Sequence, residues 1–192
     1  KMAAKTQLIA HSHKYFQLTE NCLTELSNNK NKHSVISDFI ENETDEESDA
    51  KYKNATKWSD FRVIEPILFN FYHAIELLLK GILVLKNIEF EKKHNIGKLY
   101  ELTENNLVNC DQLLSILKKY CVQTKSNKCI IQEFFKLNNI TPSKYYIILK
   151  YPFEKKQSFV YGNLHYLENK GVKFAEQIIT DIKLMKKEFI NI

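Results

Sequence analysis

The chain has 192 residues, 44% of them hydrophobic, and a formal net charge of +5. That is long enough for one domain with a real core and too apolar for a disordered chain. Four glycines and three prolines are too few for the tight turns of an all-β fold, so long helices are expected. The positive charge is almost all lysine: Arg62 is the only arginine, which nearly excludes bidentate arginine clamps for phosphate.

Residues 3 to 27 predict an amphipathic helix, with Leu8, Tyr15, Cys22, Leu23 and Leu26 at helical spacing. Its opening stretch, KMAAKTQLIAHSHKYF, lacks the apolar core and cleavage site of a signal peptide. His11 and His13 fall about 200° apart on that helix, too far to share a metal. Polar residues 28 to 34 end it. The segment ENETDEESD, residues 41 to 49, then holds six acids and no base, and predicts a flexible acidic insert over 41–50.

A second helix is predicted from about Ser59 to Asn87, with Pro66 either kinking it or sitting in its first turn. Its apolar density invites a membrane reading. However, Glu65, Asn70, His73, Glu76 and Lys80 interrupt it, and central ionic groups are costly in a bilayer, so a core helix is expected and no membrane partner. Further helices are predicted over 95–107, 111–122 and 127–137. Thr141 and Pro142 then cap and open a short helix that Pro152 ends. Residues 153 to 170 read as a loop or a broken helix. The last helix, about 171 to 189, sets Val172, Phe174, Ala175, Ile178, Ile179, Ile182 and Met185 on one side. With no repeat and no linker, a single all-α domain over 1–192 is expected.

The second helix carries a narrow polar stripe. With Lys80 at zero, Arg62 falls near zero as well, Glu76 and Glu65 at roughly −40° and −60°, His73 near +20° and Asn87 near −20°. Its simplest reading is the solvent face of the central helix. The alternative is a cleft or a two-fold interface where a glutamate and a histidine are positioned for chemistry. Tyr145, Tyr146, Tyr151, Phe153, Phe159, Tyr161 and Tyr166 form an aromatic region interleaved with lysines, which predicts core packing for most of them and base stacking as the alternative.

The cysteines, Cys22, Cys110, Cys121 and Cys129, form no C-x-x-C pair and predict reduced thiols in a cytoplasmic protein. No Cys/His cluster has zinc spacing, and no phosphate-binding glycine loop or nucleophile elbow occurs, so no metal and no cofactor are expected.

Two stretches, AIELLLKGIL and then KHNIGKLYEL, resemble the central helical hairpin of HEPN domains over residues 65 to 102. LKYP at 149–152 and the long last helix add to the likeness. The resemblance implies an all-α bundle, homodimerisation, and roles around RNA, nucleotides and prokaryotic phage defence or toxin–antitoxin systems. Many HEPN ribonucleases carry an R-x-x-x-x-H motif with which two protomers cleave RNA without metal. Here the residues five before His11, His13, His33, His73, His94 and His165 are Thr6, Leu8, Asn28, Leu68, Glu89 and Val160, so the motif is absent.

The expected function is therefore a non-catalytic HEPN-like module that binds RNA, a nucleotide or a partner protein such as an antitoxin. The alternatives are an unconventional metal-independent ribonuclease toxin and a structural dimerisation subunit. Candidate catalytic residues for the ribonuclease are His165, His94 and Glu76. Histidine suits acid–base work near neutrality, although His94 reads more simply as a helix cap or a ligand of a loop carbonyl. Candidate nucleic-acid contacts are Arg62, His73, Lys80, Lys150, Lys155 and Lys156, since lysine holds phosphate as a point charge.

Overall fold

The structure, a computed structural model, describes residues 2–34, 43–91, 93–124, 129–151 and 164–189. Among them are eight α-helices and no strand: α1 (Met2–Asn28), α2 (Asp45–Thr56), α3 (Asp60–Leu85), α4 (Ile96–Asn106), α5 (Asp111–Cys121), α6 (Ile130–Leu137), α7 (Pro142–Lys150) and α8 (Asn169–Phe189). The all-α class is as expected.

The middle of the bundle is α3. Ile64, Ile67, Leu68, Phe71, Tyr72, Ala74, Ile75, Leu78 and Leu79 are all buried along it. Each large side chain so buried contributes roughly 1.5–3 kcal/mol of transfer free energy. The helix continues through Pro66 without ending. Its length and composition would suit a membrane span, yet the apolar stretch is mostly buried inside the bundle. The longest packing partner is α1, which lays Phe16, Leu23 and Leu26 into the same core. Gly81 permits this approach: a Cβ there would lie 2.5 Å from Ile9 Cγ1. Phe174, Ile178, Ile182 and Met185 of α8 close the core from the side of α1 and α5.

Residues 45–49, expected in a flexible acidic insert, instead open the helix α2. The cause is local. Thr44 Oγ1 accepts from Glu47 N at 3.2 Å while Glu47 Oε2 accepts from Thr44 N at 3.0 Å, a reciprocal capping box. Asp45, Glu46 and Glu47 occupy the first turn, where the helix dipole favours acids, and Lys53 pairs with Asp49 one turn back at 2.5 Å. Only Thr56 of this helix is buried. The charge run is solvated, as its composition suggests, but a cap gives it a helical start that hydrophobic periodicity does not register.

A buried carboxylate ties three chain segments together below α3. Asp60 accepts from Asn31 Nδ2 at 2.8 Å, His33 Nε2 at 3.0 Å, and the backbone N–H groups of Tyr166 and Leu167, each at 2.8 Å. It thereby joins the turn after α1 to the start of α3 and the entry to α8. Gly171 packs against this lock so closely that a Cβ would land on the Asn31 amide nitrogen.

Candidate functional site

In its second half, α3 places Glu76 on the polar stripe that the sequence shows. The stripe is not simply a solvent face, because Glu76 is 1% exposed. An ionised carboxylate at that burial must be paired, and its position brings partners from two helices, α3 itself and α7, and from one loop.

Lys80, one turn on, donates from Nζ to Glu76 Oε1 at 2.5 Å. His94, in the turn before α4, donates from Nδ1 to the same oxygen at 2.8 Å. Tyr146 of α7 donates its hydroxyl to Oε2 at 2.7 Å. The hydroxyl proton being spent there, His73 Nδ1 is the donor in its 2.9 Å contact with the Tyr146 oxygen, and it stands 3.7 Å from Oε2. Lys150, the last residue of α7, donates from Nζ to His94 Nε2 at 3.0 Å. An ammonium only donates, so His94 Nε2 accepts and its ring is the neutral Nδ1–H tautomer. The Tyr15 ring lies edge-on to His73 at 4.6 Å, and Phe69 stacks parallel to it at 6.1 Å.

Burial works against the ionised form of Glu76. The nearby His73 N–H, the hydrogen bonds from Lys80 and Tyr146, and the charge of Lys80 outweigh it and hold the carboxyl well below the usual carboxylate range. Burial, and then the bond to Glu76, push the Tyr146 phenol well above its ordinary range. The cluster therefore has an ionised centre near neutral pH and an outer edge. Side-chain exposure rises from 2% at Glu76 to 15% at Lys80, 25% at His73 and 39% at His94.

Five of the sequence candidates thus meet in one place: Glu76, His73, Lys80, His94 and Lys150. His94 is not the helix cap that its position suggests. Asn95 caps α4 by accepting from Lys98 N, which leaves His94 to turn toward Glu76. Two candidates lie elsewhere. Arg62 is fourteen residues before Glu76, about 21 Å along the helix. Its Nε donates to Thr56 Oγ1 at 3.0 Å. His165 pairs with Glu65 through Nε2, also far along α3 from Glu76. Lys155 and Lys156 lie outside the described residues. Tyr146 is the partner that the sequence did not single out. It is fully buried, so the expectation of packing holds for its ring, and only its hydroxyl enters the cluster.

A model of the HEPN domain matches residues 43–188. The chain belongs to the HEPN domain family. No curated protein and no solved structure matches it. The matched span takes in α2 to α8, and so every member of the cluster except the ring of Tyr15. Two cavities flank α4 in this HEPN domain. One of about 320 Å³ is lined by Phe90, Lys98 and Leu102 among others, and one of about 520 Å³ by Tyr100, Lys118 and Ser143 among others. Neither is lined by Glu76, Lys80 or Lys150. The cluster lies outside these two cavities, with His73 and His94 at its more exposed edge.

Proposed function

We propose that this HEPN domain binds RNA through the edge of the Glu76 cluster and does not cut it by the arginine–histidine route. The domain works in the cytoplasm as a homodimer, in a prokaryotic defence or toxin–antitoxin setting. The observation that carries the RNA reading is the charge balance of the cluster: two lysine ammonium groups stand against a single carboxylate, with two partly exposed histidines at its edge. Lys80 spends one of its three N–H bonds on Glu76 and Lys150 spends one on His94. The remaining protons of both ammonium groups are suited to phosphate oxygens. From Lys118 onward the chain holds 14 lysines against six acids, which extends the same field.

Binding fits the cluster better than catalysis. Glu76 is too acidic to take a proton near neutrality, and both nitrogens of His94 are already engaged. The only arginine lies some 21 Å along α3 from Glu76, and no histidine follows an arginine at the motif spacing.

The test is RNA affinity against salt. Each phosphate neutralised on a single strand contributes a slope of about −0.7 to the log–log plot. Lys150→Ala should weaken binding uniformly across sequences and flatten that slope by about 0.7. An unchanged slope removes Lys150 from the interface. Absence of binding by the unmodified chain at low salt favours a structural dimerisation subunit instead.

A further inference from the structure

The other end of α3 holds an aromatic centre that takes no part in the Glu76 cluster. Tyr166, two residues past the described start of the segment entering α8, is 62% exposed. Its backbone sits at φ 55°, a left-handed conformation that is uncommon for an aromatic residue. The Asp60 carboxylate fixes it there by accepting from the Tyr166 and Leu167 amides. The result is a large ring held out toward solvent by a buried lock, the reverse of what apolar burial favours.

The ring has a specific bed. Phe61 lies parallel beneath it, with centroids 4.9 Å apart and 7° between planes. His33 stands edge-on to Tyr166 at 5.3 Å. The Arg62 guanidinium carbon is 5.0 Å from the centre of the Phe61 ring and 5.5 Å from that of Tyr52, which is itself exposed. The single arginine of the chain is thus placed beside a preformed aromatic stack.

We propose that Tyr166, Phe61 and Arg62 form a base-stacking platform for single-stranded RNA. Tyr166 stacks a nucleobase and Arg62 holds a neighbouring phosphate. The proposal rests on the RNA-binding reading above and adds a second contact point to it. Stacking tolerates any base, because every base has a π-face, while the guanidinium supplies the charge and planarity that phosphate recognition uses. Arg62 and Lys80 are eighteen residues apart, five full turns, so both project from the same stripe of α3 about 27 Å apart. A strand engaged by both runs along that helix.

A single-stranded oligonucleotide carrying 2-aminopurine, whose fluorescence falls when it stacks, tests this with the full chain. The unmodified protein should quench the probe. Tyr166→Ala should abolish the quench and weaken binding about tenfold, while Tyr166→Phe keeps both. Lys150→Ala should lower affinity yet leave the quench intact at saturation. If Tyr166→Ala still binds and quenches normally while Lys150→Ala weakens binding, the platform is wrong and the RNA reading stands. If the unmodified chain binds no oligonucleotide at low salt, both are wrong.

Discussion

Glu76 carries one negative charge in a place that water hardly reaches, and its donors come from positions 80, 94 and 146. Truncating it leaves Lys80 and the Tyr146 hydroxyl without their acceptor. Breaking a buried pair from one side costs about 3–5 kcal/mol, and Lys80 at 15% exposure can partly turn to water. Glu76→Ala should therefore cost about 3 kcal/mol in denaturant unfolding, whereas Lys93→Ala, which removes an exposed pair with Glu91, should stay within about 0.5 kcal/mol. The acid limb follows from the same residue. Glu76 has a depressed folded pKa, so the unfolded chain takes up a proton first as pH falls below about 4.5. Its contribution is complete above that pH and is lost progressively below it. A stability–pH profile should show Glu76→Gln losing less than the parent across that range. Much of this site was legible in one helix: Glu76, Lys80 and His73 share an angular stripe that spacing alone reveals. His94 stood out in the polar turn after that helix and within the family-like KHNIGKL, but it read more simply as a cap or a partner of a loop carbonyl. Tyr146 lay beyond reach because its contact spans seventy residues, and an aromatic residue beside Ile147 and Ile148 reads as core.

Helices with an apolar face could be read from the sequence to within a few residues, since burial itself imposes their period. The one that could not, α2, has no such face and depends on its cap. Thr44→Ala should cost about 0.5–2 kcal/mol in that helix. Because α2 is exposed along almost its whole length, the loss should be local. Amide exchange over 45–56 should speed up while exchange in α3 is unchanged; an equal rise in α3 would mean that α2 unfolds only with the bundle. The Asp60 lock joins elements far apart in sequence, and its members, Asn31, His33 and Gly171, gave no pattern to find. Gly171→Ala pushes a methyl onto the Asn31 amide that donates to Asp60. The expected cost is about 1–3 kcal/mol by thermal or chemical unfolding, despite the better helix propensity of alanine. A stabilised variant would show that the lock yields freely.

At the scale of the whole molecule, α3 presents two polar centres on one stripe while its remaining circumference forms the core of the HEPN bundle. Cationic side chains edge that stripe at both ends, and the arginine–histidine spacing of many HEPN ribonucleases is absent from the sequence. A homodimer, as we propose, doubles the stripe and should sediment at about twice the 22.7 kDa of the chain. Incubation of the purified chain with a mixed single-stranded RNA pool in chelator, followed by both anisotropy and gel analysis, tests binding without cleavage most directly. The RNA should bind at low salt, release as salt rises, and remain intact throughout. RNA cut in the chelator, with the cutting lost in His94→Ala, would contradict this and make the Glu76 cluster a ribonuclease centre.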